Sequence, residues 1–367
     1  MSHFNCYVPN LRLPGFEISY QKTKIGKCLK IKSGQDKKDI CCDNGKYNIY
    51  GTGGIIGTTN LFLYDKESVG IGRKGTIDKP FYFDKPFWTV DTLFYSVINK
   101  GFYPKYIYYL FQTINWKKYN SSTGVPSLTS TTIESIEVSL PLLEEQRKIA
   151  EFLTMIDARI DAQNKIIEDL TTLRKGIIDS FFKSSISSTR LIKYLRERKT
   201  YSEKGEGYEH VTLSKEGICP KTDRYDRDFL VKNEDKNYKI TKLNDICYNP
   251  ANLKFRVICL NDYGDAIFSP IYVTFEVQNI DPYYLSLYLT SESFIKRILK
   301  YQQGTVYERM AVGPDDFCKG RIPIKSEAEI NNLVNLVSAL DKKIKSERGI
   351  LEKFCIQKSY LLNNLFI

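Results

Sequence analysis

A hydrophobic seam that occurs twice constrains this chain more than any other feature. Ile149, Leu153, Ile156, Ile160, Ile167, Leu170, Ile177 and Phe181 recur at steps of three, four or seven. Leu333, Val337, Leu340, Ile344, Leu351, Phe354, Leu361 and Leu365 fall on the same rungs 184 residues later. Such spacing belongs to a helix that packs lengthwise against another helix. The polar interruptions recur as well: Gln163 and Arg174 in the first copy become Glu347 and Lys358 in the second. Asp157 maps to Asp341, Glu168 to Glu352 and Phe182 to Phe366. A seam repeated together with its breaks marks two copies of one unit, each a globular part followed by a long helix.

The repeat divides the 367 residues into a globular part at 1–140, a helix at 141–186, a second globular part at 187–322 and a second helix at 323–367. Landmarks inside the globular parts agree. Pro104 and Pro282 each start a helix, Gly124 and Gly304 follow those helices, and Pro141 and Pro323 precede the seams. Short strand-like runs include Gly26–Lys32, Lys46–Tyr50, Phe81–Phe83 and Phe87–Val90, then Tyr208–Leu213, Arg256–Leu260 and Ile271–Val277. Ile133–Leu140 alternates like a strand, and Tyr283–Tyr301 looks helical throughout. The expected class is α/β: two mixed domains joined by two long helices. Antiparallel pairing of those helices is favoured, because two globular parts at one end would crowd. It predicts an internal pseudo-two-fold repeat and a helical ruler on the order of 50 Å. The plainer alternative is a coiled-coil scaffold that only holds an oligomer together.

Composition narrows the function. The net charge is +11, and the two globular parts carry +7 and +3 of it, against −1 and +2 on the helices. That distribution favours a polyanionic partner. Nine scattered cysteines without a Cys-x-x-Cys pair, and only two histidines, His3 and His210, argue against a zinc site and suit a reducing cytosol. No metal ligand set is expected. Neither a signal peptide nor an 18-residue apolar run is evident, so a cytoplasmic protein without a membrane is expected.

Candidate contacts follow from chemistry. Glycines let a loop approach a phosphate, whose oxygens exposed N–H groups then bind. Thr52, Gly53 and Gly54, with Arg73 and Lys74 one strand later, suit that role. Lys118, Ser122 and Thr123 in the first part, and Gln302, Gln303, Thr305 and Arg309 in the second, flank equivalent loops after equivalent helices. Such cations position a duplex, and Arg, Asn or Gln read base edges. Most of the 26 tyrosines are expected in the core. An enzyme reading has weak support. Asp281-Pro282-Tyr283-Tyr284 resembles the Asp-Pro-Pro-Tyr of amino-methyltransferases, and Asn249-Pro250-Ala251-Asn252 echoes it less well. Yet Gly51–Gly57 misses the G-x-G-x-x-G cofactor loop, and no Gly-Lys-Ser/Thr phosphate loop exists. No catalytic residue is assigned.

Leu140-Pro141-Leu142-Leu143-Glu144-Glu145-Gln146-Arg147-Lys148-Ile149-Ala150, followed by Ile156-Asp157, resembles the central conserved region of type I restriction-modification specificity subunits. Leu173–Phe182 resembles the end of that region. Tyr50–Gly57 and Arg73–Thr76 resemble motifs of the family's target recognition domains, and Val8–Phe16 its usual opening. The second copy departs: Ile322–Glu327 lacks the Glu-Glu-Gln-Arg string, and the second globular part lacks an Arg-Lys-Gly-Thr loop. The resemblance implies target recognition domains at 1–140 and 187–322, conserved spacer helices at 141–186 and 323–367, and a non-catalytic DNA-binding subunit. It implies a bipartite target in double-stranded DNA, one half-site per domain. It also implies two methylation subunits and two restriction subunits as partners. These would carry adenine N6 methylation and site-specific DNA cleavage, with S-adenosylmethionine, ATP and Mg as their cofactors. Outer faces of the two helices, such as Glu144, Arg147, Lys148 and Arg159, would hold the methylation subunits or simply face water.

Overall fold

The computed structural model describes residues 8–184, 187–203, 207–215, 217–221, 237–304 and 310–367. The seams form two long helices, Leu143–Lys183 and Glu327–Leu365. All sixteen seam positions are buried or half-buried. The chain separates into two compact units, Met1–Ile166 with Glu347–Ile367, and Ile167–Ser346, so each unit takes part of both long helices.

Unit 1 begins its described part with an irregular segment and an antiparallel strand pair, Gln21–Lys24 with Glu137–Leu140. Leu29–Ser33, Leu93–Ile98, Ser68–Gly72 and Phe81–Phe83 form, in that spatial order, a fully antiparallel sheet. The Pro104–Thr113 helix follows the Leu93–Ile98 strand, with proline in its first turn, where a missing N–H costs nothing. A smaller sheet holds the hairpin Tyr47–Gly51/Gly54–Thr59 and the short strand Trp88–Thr89. Ile149, Leu153 and Ile156 of the first long helix share one core with Leu361, Leu365, Tyr106 and Tyr109.

Unit 2 repeats this plan. Ser188–Arg190 pairs antiparallel with Arg321–Pro323. Leu195–Glu197, Val273–Val277, Ile246–Tyr248 and Ile258–Leu260 form a four-stranded antiparallel sheet with the same chain order across it. The Pro282–Leu289 helix follows, as Pro104–Thr113 does in unit 1. Here the additional sheet has five strands: Tyr201–Ser202, Tyr238–Thr241, Ala266–Phe268, Glu209–Ser214 and Gly217–Pro220. In both units this sheet is inserted at the same two places in the chain order, and there the units diverge. Ile178, Phe182, Leu333 and Val337 join the core of unit 2.

Within each unit the long helices run antiparallel. In unit 1, Asp157 meets Lys358 at 2.7 Å and Gln163 donates to the backbone oxygen of Glu347 at 3.1 Å. In unit 2, Arg174 grips Asp341 through both forks. These are the polar interruptions of the seam, now seen as matched pairs. Gln163 and Glu347 are repeat mates, so the register brings a residue against its own copy, as a two-fold repeat requires. Each aspartate also accepts a tyrosine hydroxyl: Tyr109 at 2.7 Å on Asp157, Tyr283 at 2.6 Å on Asp341.

Several local expectations change. Ile25–Cys28 is a helical turn before the strand Leu29–Ser33, not part of a strand. Ser130–Ser135 is a helix because the Thr129 hydroxyl accepts from the Thr132 N–H, leaving only Glu137–Leu140 extended. Tyr283–Tyr301 is broken in two, since Ser291 caps a second helix, Glu292–Ile298. No described helix is long and apolar enough to cross a membrane. No group of His, Cys, Asp and Glu that could hold a metal occurs among the described residues.

Candidate nucleic-acid interface

In unit 1 the fold brings the three candidate loops together. The first is the two-residue turn Thr52-Gly53 of the hairpin, closed by Gly51 opposite Gly54. Gly54 has φ +120°, a backbone state that side chains with a Cβ rarely adopt. The second loop, Arg73 to Thr76, hangs from the Ser68–Gly72 strand. Arg73 and Lys74 both donate their N–H to the Thr92 carbonyl, at 2.7 and 3.2 Å. At Gly72 an added Cβ would stand 2.0 Å from the Thr76 oxygen, so the sharp turn requires glycine. A Cβ on Gly75 would reach to 3.5 Å from the Thr52 hydroxyl, which places the first two loops side by side.

The third loop, 120–127, is laced to the second. Gly75 N–H donates to Pro126 O, Leu128 N–H donates to Arg73 O, and Lys74 bridges Ser127. Its organiser is Asn120, whose Oδ1 accepts from Ser122 at 3.1 Å and Ser127 at 2.9 Å. Asn120 was not among the candidates, although an Asn beginning a polar loop is a known turn signal. Ser122 is partly spent inside the loop, where its hydroxyl accepts from Gly124 N–H at 3.3 Å. Thr123 and Lys118 are exposed, and so is Lys74, whose ammonium has no ion pair among the described residues. Arg73 is half-buried, with Nη1 donating to the Asp91 carbonyl at 3.3 Å. The result is a surface of two cations, several hydroxyls and backbone N–H groups, rimmed by the exposed Ile55, Ile56 and Val125. It can bind a polyanion through charge and N–H donors while keeping apolar groups free for base edges.

In unit 2 the corresponding residues are less free. Gln302 donates to Met310 O at 2.9 Å and Gln303 to Asp316 at 2.7 Å. Gln303 also pairs with Ala311 through two backbone hydrogen bonds. Both amides are thus engaged within the protein, while Gln303 remains exposed. Thr305 and Arg309 lie outside the described residues.

The methyltransferase-like residues are structural. Asp281 caps the Pro282 helix by accepting from Tyr284 N–H at 2.7 Å, and buried Tyr284 donates to Pro323 O. Asn249 turns its own loop by accepting from Ala251 and Asn252. The Glu-Glu-Gln-Arg string also has an internal role. Glu145 binds Arg12 through both forks, and Gln146 accepts from Tyr103 N–H while donating to Pro141 O. Hydrogen bonding to Glu145 raises the Arg12 pKa, so the guanidinium stays charged. Tyrosines are chiefly packing residues: Tyr106, Tyr109, Tyr248, Tyr284 and Tyr288 are fully buried. Lys105 lies 3.9 Å over the Tyr82 ring, and burial lowers its pKa against the pull of Asp157 and Asp84.

Residues 18–172 match a family model described as the type I restriction modification DNA specificity domain. Over that segment the chain is similar to type I restriction-modification specificity subunits. Among curated relatives, it is 32% identical over 90 residues to the type I restriction enzyme MjaVIII specificity subunit of Methanocaldococcus jannaschii, covering 23% of this chain and 21% of that one. It is 24% identical over 299 residues to the putative MjaX specificity subunit of the same organism, covering 71% and 67%. These alignments thus span from about a fifth to two thirds of the relatives' lengths. The fold is that of a solved type I restriction-modification S subunit from M. genitalium, with a TM-score of 0.65 at 17% identity over 98% of this chain and 99% of that one. A chain from a solved type I R-M system matches with TM-score 0.54 at 12% identity, over 97% and 99%. The specificity-subunit fold therefore holds both the loop cluster of unit 1 and the paired long helices.

Proposed function

We propose that this chain is the non-catalytic subunit that chooses the DNA sequence for a type I restriction-modification complex. One half of a bipartite target is read by each unit. The loop convergence in unit 1 carries this reading: backbone bonds join Arg73–Thr76 to 120–127, Gly75 lies beside Thr52 of the hairpin turn, and Lys74 and Lys118 are exposed. Two methylation subunits dock along the outer faces of the long helices, where Glu144, Arg147, Lys148 and Arg159 are exposed. Two restriction subunits join that assembly. Adenine N6 methylation with S-adenosylmethionine, and ATP- and Mg-dependent cleavage, belong to those partners in the cytoplasm.

DNA binding by the full chain at graded salt tests the reading. A subunit of this kind shows log K falling linearly with log salt, whereas a coiled-coil scaffold shows no DNA-dependent slope. Arg73→Ala with Lys74→Ala should weaken binding across sequences and lower the slope by about 2, roughly one per lost phosphate contact. An unchanged slope would remove this surface from the interface. Methylome sequencing with and without the gene adds the biological readout, since a split adenine-methylated motif should vanish with it. Methyl transfer from labelled cofactor by the chain alone would instead favour an enzyme.

A further inference from the structure

Unit 2 lacks the Arg-Lys-Gly-Thr loop, and the glutamine amides of its equivalent loop donate to Met310 O and Asp316. It does hold a cluster of cations that unit 1 lacks. Between the Glu292–Ile298 helix, the Leu299–Tyr301 turn and the Ser188–Arg190/Arg321–Pro323 strand pair lies a cavity of about 300 Å³. Arg297, Lys300, Lys319 and Arg321 line it over the rings of Tyr288 and Phe294, and among the described residues no carboxylate stands in its wall.

Two of the guanidinium groups are already aimed. Arg321 donates through Nε to Ser188 Oγ at 2.9 Å and through Nη2 to Ser188 O at 2.6 Å. Arg297 donates through Nε to Ser293 O at 3.0 Å and lies 5.5 Å from the Tyr288 ring centre. A guanidinium has five N–H donors, so each keeps free donors while its rotamer freedom is already spent. Lys300 makes no ion pair among the described residues and is exposed. Lys319 alone is offset, by Asp316 at 2.6 Å, and Asp316 also holds Gln303. The cavity is therefore coupled to the Gln302-Gln303 loop, which directly follows Lys300 and Tyr301.

A plain reading would make these cations helix-end residues that balance the carbonyls of the last turn. That accounts for Arg297 and for Lys319, which caps the Pro314–Cys318 helix, but Arg321 lies on a strand. Unit 1 supplies the comparison. Its equivalent cavity, about 370 Å³, has Lys118 and Tyr119 in place of Lys300 and Tyr301. In place of Arg321 it has Glu137, which is paired with Lys22 at 2.6 Å. The architecture is shared, so the concentration of cations belongs to unit 2 and not to the fold.

We infer that Arg297, Lys300 and Arg321 form the phosphate anchor of unit 2, gripping the DNA backbone beside the bases that this unit reads. The cavity suits a phosphodiester and its sugar, and is too small for a helix or a base pair. Planar guanidinium forks match phosphate oxygens in pairs. The anchor does for unit 2 what Arg73 and Lys74 do for unit 1, from a different place in the fold. This inference rests on the DNA-binding reading above.

The test is binding of the full chain to a mixed-sequence duplex between 50 and 200 mM NaCl, with wild type, K300A/R321A, R321K and R73A/K74A compared. Each lost phosphate contact should make binding roughly threefold less sensitive to that fourfold change in salt. K300A/R321A should therefore lose about two units of slope, and R321K should keep the wild-type slope because it keeps the charge. Both substituted side chains are exposed, and a melting midpoint equal to wild type confirms that folding is intact. A wild-type slope in K300A/R321A, with a reduced slope in R73A/K74A, overturns the anchor and leaves the DNA reading standing. Normal DNA binding by K300A/R321A with failure to co-purify with a methylation subunit also overturns it, assigning the cavity to a protein carboxylate. No salt-dependent binding by wild type overturns the DNA reading and the anchor together.

Discussion

Gln163 and Glu347 show how much a single rung can specify. They are 7% and 6% exposed, and the amide of Gln163 donates to both the carboxylate and the backbone oxygen of Glu347. Removing one member strands polar groups in a closed seam, which costs about 1–3 kcal/mol. Gln163→Leu should lower stability by that amount in chemical denaturation. Replacing both by leucine should restore most of it, because an apolar rung needs no partner. The double variant should also lose uniqueness of helix register, the usual return for a buried polar pair. Cysteines give a second residue-level check. Burial pushes the thiols of Cys28 and Cys247 up to about 12, so at pH 8 both remain protonated and unreactive. A thiol reagent at pH 8 should modify exposed Cys41, Cys219 and Cys355 in the folded chain. It should reach Cys28 and Cys247 only after denaturation.

At the scale of elements, helix starts decide most of what pattern reading gets wrong. Thr129 and Ser291 begin helices where alternation or length alone suggests something else. Each supplies an oxygen to an N–H that would otherwise lack a partner at the helix N-terminus. Asp281 does the same for the Pro282 helix, and this separates a structural carboxylate from a catalytic one. Asp281→Ala should cost about 1 kcal/mol of stability in thermal or chemical unfolding, the usual loss of a cap. Asp281→Asn should keep most of it, since its oxygen still accepts. A loss of activity in the assembled complex without a loss of stability would contradict the cap. Elements also explain where the two units part company. Four-stranded sheets and proline-led helices match strand for strand, while the inserted sheets have three strands in one unit and five in the other. Divergence there leaves the shared core and the seam untouched.

For the whole molecule, the long helices are the common part of both units: 41 and 39 residues that contribute to both compact bodies. Under the proposed bipartite reading, helix length sets the interval between half-sites. One added heptad in each helix lengthens it by about 10 Å at 1.5 Å per residue. The methylated motif should then gain roughly three base pairs of spacer, as read by methylome sequencing. Unchanged spacing with intact assembly would sink the ruler. The sequence alone determined the two helices and the duplicated plan, because heptad periodicity is written in local order and survives divergence of everything between. Glycine and charge singled out Thr52, Arg73 and Lys74 as candidates, and the Gln-Gln stretch only as a loop. Tertiary structure decided the rest. It set the Arg73–Thr76 loop against 120–127 through the Pro126 and Arg73 carbonyls and beside Thr52 at Gly75. It tied the Gln302 and Gln303 amides to Met310 and Asp316 and gathered Arg297, Lys300 and Arg321 from three elements around one cavity. No local pattern encodes such meetings, because they depend on which strands pair and on where each backbone donor finds its acceptor.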